Sequence, residues 1–131
     1  MGYGLSVWVV PKLYEEIQEE YNMVHIPHVT LQTNLQTHSN SADIGRLVNI
    51  SFIKGFVKFP SMYDHDPMSG SGFYCSVADL YNIPAFDQHM TVWYNYDGDH
   101  MGFDEPPCDQ LGRVMRADTR SDDPSEWTVL F

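Results

Sequence analysis

The chain has 131 residues, 43% of them hydrophobic, and carries seven Lys and Arg against eighteen Asp and Glu, a formal charge of −11. That length and apolar content predict one domain, residues 1–131, with a real core, and exclude a disordered chain. The acidity excludes a grip on long RNA or DNA, which needs a basic track to neutralise phosphates. An anionic partner would be small and held by a few local donors.

No apolar stretch approaches the length of a membrane span, and no basic region precedes the N-terminal apolar run as in a secretory signal. Cys75 and Cys108 have no metal-like spacing, so a reducing, cytoplasmic setting is the expectation, without a membrane partner. Nothing in the pattern specifies an oligomeric state.

Residues 3–10 read as a first strand, with Leu5, Val7 and Val9 alternating with Gly4, Ser6 and Trp8. Pro11 ends it and suits the first turn of a helix. Leu13, Ile17 and Tyr21 then recur every four residues among Glu15, Glu16, Glu19 and Glu20, an amphipathic helix with a solvated acidic face. Residues 27–35 read as a second strand, on which Gln32 and Asn34 continue the face of His28 and Thr30. Residues 43–49 read as a short helix with Ser41 as its cap.

Residues 50–59 alternate as a strand, 61–72 are a Gly, Pro, Ser and Asp-rich loop, and 73–80 are a strand pairing with the preceding one. Residues 88–96 form another strand, followed by the turn signal Asp97-Gly98. Residues 111–115 are a short strand or turn, near the cations Arg113, Arg116 and Arg120. Residues 127–131 close the chain as a strand. Strands outnumber helices and no linker divides them, which points to an α+β fold with antiparallel sheet.

Two of these strands carry the same pattern: His28-Val29-Thr30-Leu31 and His89-Met90-Thr91-Val92. In a strand, residues i and i+2 share a face. Each imidazole therefore has a hydroxyl beside it and an apolar face behind it. Breaking a phosphodiester without a metal needs a base for the attacking oxygen, an acid for the leaving oxygen, and donors for the phosphate charge. Two histidines, with an ordinary pKa of about 6.5, suit the first two roles, and two threonines the third. Which histidine is the base is left open.

The doubled His-x-Thr-hydrophobic motif resembles that of the two-histidine (2H) phosphoesterase superfamily. Its members include LigT-like proteins, cyclic nucleotide phosphodiesterases and phage anti-CBASS phosphodiesterases. The resemblance implies a compact bilobal fold, two antiparallel sheet lobes with few outer helices facing each other across a central groove. It implies a metal-independent phosphodiesterase with no cofactor, His28, Thr30, His89 and Thr91 as catalytic residues, and a small cyclic nucleotide as substrate. That substrate would be a cyclic di- or oligonucleotide signal or a 2′,3′-cyclic phosphate. The likeness to phage enzymes adds an expected role in immune evasion.

In the phage relatives an aromatic on the first strand and a tryptophan near the C-terminus clasp a base. The matching residues here are Tyr3 and Trp127, with Trp8 as an alternative and Glu126 as a neighbouring acceptor. Three other readings stay open. They are a non-catalytic nucleotide-binding module, an RNA-end-processing cyclic phosphodiesterase, and an interaction protein in which the repeat is chance. His25 is expected on the opposite face from His28, in a surface or structural role. His65, between Asp64 and Asp66, lacks partner ligands at useful spacing. His100, beside Asn95-Tyr96-Asp97-Gly98-Asp99, follows a stretch lacking a calcium loop's glycine and glutamate in register, so no metal site is expected.

Overall fold

The computed structural model describes residues 3–59, 70–77, 80, 88–94 and 105–130. The elements in order are β1 (Leu5–Pro11), α1 (Tyr14–Glu20), β2 (Val29–Leu35), β3 (Leu47–Phe52), β4 (Val57–Phe59), β5 (Gly70–Val77), β6 (His89–Tyr94), β7 (Gln110–Asp118) and β8 (Thr128–Leu130), with a 3₁₀ turn at Pro124–Glu126 before β8. Mostly antiparallel sheet with one α-helix among the described residues, the chain falls in the α+β class. No helix among the described residues is long and apolar enough to cross a membrane.

The sheet runs β1-β2-β6-β5-β3-β7, and β7 pairs back onto β1, so these six strands close into a ring. β4 attaches to β5 and β8 to β7. Where two lobes with separate sheets are expected, the described strands form one continuous sheet. The reason lies in β1, which pairs with β2 on one side and with β7 along its whole length on the other. All seven of its residues are buried.

Alternation along the strands fills the ring. Val7 and Val9, Val29 and Leu31, Ile50, Phe73, Met90 and Val92, and Val114 belong to one buried cluster, joined by Ile17 and Tyr21 of α1. A second cluster lies on the outside of β1, where Trp8, Val10, Met115, Ala117 and Trp127 are buried with Tyr3, Ile26, Tyr94 and Val129 packed against them. The 3₁₀ turn delivers Trp127 to this layer. Asp123 caps the turn by accepting from the Ser125 N–H at 3.0 Å, and the Trp127 indole donates to the Ser121 carbonyl at 2.9 Å.

Several predicted elements shift. The helix expected over 43–49 is a turn leading into β3, which takes its last residues. The single strand expected over 50–59 is split into β3 and β4, with Gly55 at φ +115° between them. Gly70 to Gly72, expected in a loop, begin β5. β7 extends well beyond the short segment anticipated for 111–115. His65, His100, the Asp97-Gly98 turn and most of the 61–72 loop lie outside the described residues.

Candidate functional site

β2 and β6 are neighbours, and Val29 pairs with Met90. The pairing is antiparallel. Continued one residue each way, it sets His28 opposite Thr91 and Thr30 opposite His89. Directly opposite residues share a face. The two motifs therefore make one patch, with a histidine and a threonine at alternate corners. Behind it Val29, Leu31, Met90 and Val92 all point into the ring.

His28 lies deepest. It is 3% exposed and stacks face to face on Trp8, with ring centroids 3.6 Å apart and planes 9° apart. Its Nδ1 lies 2.7 Å from the Ile26 carbonyl oxygen. A carbonyl only accepts, so Nδ1 carries the proton and a neutral ring keeps its lone pair on Nε2. Burial holds the pKa of His28 well below the usual 6.5, helped by the neighbouring charges of His25 and, to a lesser extent, His89. Thr30 and His89 are half-buried and Thr91 is buried. The patch is thus open at the Thr30 and His89 corners and closed over His28, which differs from an open groove floor.

His25 is the site residue that alternation misplaced. β2 begins at Val29, and the chain bends at Val24 and His25, so the strand's alternation does not carry back to His25. His25 is buried, and its ring meets those of His28 at 5.6 Å and Tyr94 at 5.0 Å. Its Nε2–H donates to the Thr91 carbonyl at 2.8 Å, while its buried Nδ1 has no hydrogen-bond partner. Burial pushes its pKa down to about 4 despite that hydrogen bond. The structural half of the expectation holds, and the surface half is overturned. What alternation could not show is the hydrogen bond that holds His25 to the Thr91 backbone of β6.

The base-binding residues fare unevenly. Trp8 is 1% exposed with a face covered by His28, so it supports the imidazole and offers no platform. Trp127 is 5% exposed and meets Tyr3, Tyr94, His25 and His28 edge-on or tilted, with centroids 5.3–6.2 Å apart. It roofs the histidines instead of presenting an open face. Tyr3 and Trp127 do come together as a pair, at 5.7 Å and 88°. Tyr3 is half-buried. Glu126 is exposed and accepts a hydrogen bond from the Ser121 hydroxyl.

Gln32 leaves the motif face. Register shifts between β1 and β2 pair it with Val7, and Thr33 bonds instead to Ser6 at 3.0 Å. Asn34 takes a left-handed φ of 60°. The arginines are committed within the chain. Arg113 and Arg116 donate to the carbonyls of Gly45 and Ser39, at 3.0 and 2.8 Å, and Arg120 pairs with Asp118 at 2.7 Å. Among the described residues no group of three or more His, Cys, Asp or Glu side chains could hold a metal ion. Comparison with family models, curated proteins and solved structures finds no match to this chain.

Proposed function

We propose that this protein is a metal-independent phosphodiesterase of the two-histidine kind, acting on a small cyclic nucleotide. The observation that carries the reading is the β2–β6 register, which sets two imidazoles and two hydroxyls on one face of neighbouring strands. In this reading the bilobal 2H arrangement is expressed within a closed sheet, one motif from each half of the chain.

His28 is the general base. Its neutral ring and Nδ1 bond leave Nε2 to take a proton from water as that oxygen attacks phosphorus. His89, at an open corner, gives its proton to the ribose oxygen as the P–O bond breaks. Thr30 and Thr91 donate to the non-bridging oxygens as charge builds. The substrate enters from the Thr30 and His89 side and reaches the edge of His28. With the arginines held elsewhere and a charge of −11, the substrate is a small diester and not the end of a long RNA.

A second reading is favoured by one observation, the burial of His28 under Trp127. The same patch would then hold a nucleotide without cutting it. Incubating the protein in EDTA with cyclic mono-, di- and trinucleotides and nucleoside 2′,3′-cyclic phosphates separates the two. Hydrolysis supports the enzyme, and bound but intact nucleotide supports the module.

A further inference from the structure

Both tryptophans expected to stack on a base are buried, at 1% and 5% exposure, and Tyr3 is half-buried with its ring packed on Trp127. The register of the next strand supplies another aromatic. β5 pairs with β6 so that Tyr74 lies directly opposite His89, and Gly72 opposite Thr91. The Cys75 N–H donates to the Gln88 carbonyl at 3.0 Å, which makes 75 and 88 the hydrogen-bonded pair. Tyr74 and His89 are then the adjoining non-hydrogen-bonded pair, the kind whose side chains stand closer together. Tyr74 is 40% exposed, and among the described residues it is the aromatic that ranks as exposed. Its flank toward Thr91 is Gly72, which adds no side chain between the ring and the patch.

We infer that Tyr74 is the nucleobase platform of this site. The inference rests on the phosphodiesterase reading for what the neighbouring patch holds. Tyr74 stacks on the base of the nucleoside whose ribose oxygen is protonated by His89, the leaving side of the diester. Stacking on an exposed aromatic tolerates different bases, so it selects nucleotides over bare sugar phosphates without selecting one base strongly.

Calorimetry with adenosine 3′-monophosphate and ribose 3-phosphate tests this apart from turnover, since neither ligand contains a diester. The wild type should bind the nucleotide about tenfold more tightly than the sugar phosphate. Tyr74→Ala should erase that preference by weakening nucleotide binding alone, and Tyr74→Phe should retain it. Equal affinities in the wild type, an unchanged preference in Tyr74→Ala, or parallel loss of both ligands would overturn the platform. A wild type that prefers the nucleotide yet hydrolyses no cyclic phosphate defeats the phosphodiesterase reading and leaves Tyr74 in place.

Discussion

His25 and His28 are three residues apart and use their ring nitrogens in opposite ways. His28 donates from Nδ1 and leaves Nε2 as an acceptor, while His25 donates from Nε2 to the Thr91 carbonyl and buries Nδ1 without a partner. His25 thereby ties the segment that precedes one motif to the backbone of the other. Its pKa of about 4 makes this tie sensitive to acid. Above about pH 6.5 the ring is neutral both folded and unfolded, so it adds no pH dependence. Between about pH 6.5 and 4 the unfolded chain takes up a proton that the folded chain refuses, so stability falls with falling pH. The loss reaches about 3 kcal/mol by pH 4, and His28 contributes in the same direction. Urea unfolding of the wild type at pH 7 and pH 4.5 should show this decline, and His25→Gln should flatten it. An equal decline in the variant would assign the acid sensitivity elsewhere.

At the scale of elements, the seam between β2 and β6 is the thinnest in the ring, with Val29 and Met90 as its registered pair. The opposite edge of β6 is held by a longer ladder to β5 that contains a bulge at Val92. The bulge turns Val92 and Trp93 toward the inner cluster and returns Tyr94 to the outer one, beside His25. Gly72 sits at this bulge, where a Cβ would run into the Met90 carbonyl oxygen. Gly72→Ala should therefore cost about 3 kcal/mol or more, read from the urea midpoint, because rigid backbone must move. A midpoint like that of the wild type would show that the strands are less closely apposed. Most strands were legible from alternation, β1, β2 and β6 above all, because each has one largely apolar face. β7 was foreseen only in part, since Arg113, Arg116 and Asp118 interrupt its apolar residues. The bulges were not legible, because a one-residue shift leaves no mark in composition, and with them went the placement of Gln32 and Tyr94. The histidine and threonine pairs could be read from spacing alone. The burial of Trp8 and Trp127 could not, since it depends on an outer layer built from both ends of the chain.

Across the whole molecule, closure of the ring by β1 and β7 fixes what the site can accept. The inner cluster fills the ring, so the proposed chemistry would be confined to the outer face of β2, β6 and β5. A charge of −11 and arginines engaged by their own chain leave no basic track among the described residues. Filter binding at about 0.15 M salt should accordingly detect no affinity for long single-stranded RNA. Micromolar retention would contradict a site that takes only small diesters. The central claim is that His28 and His89 cut a phosphodiester from one shared face. Its most direct measurement is hydrolysis of the cyclic nucleotide panel in EDTA by the wild type, His28→Ala and His89→Ala. The account predicts turnover by the wild type and a loss of roughly 10²- to 10⁴-fold in each variant, with His89→Ala keeping the wild-type melting temperature to within a few degrees. Variants as active as the wild type, or a wild type inactive on every member of the panel, would contradict it.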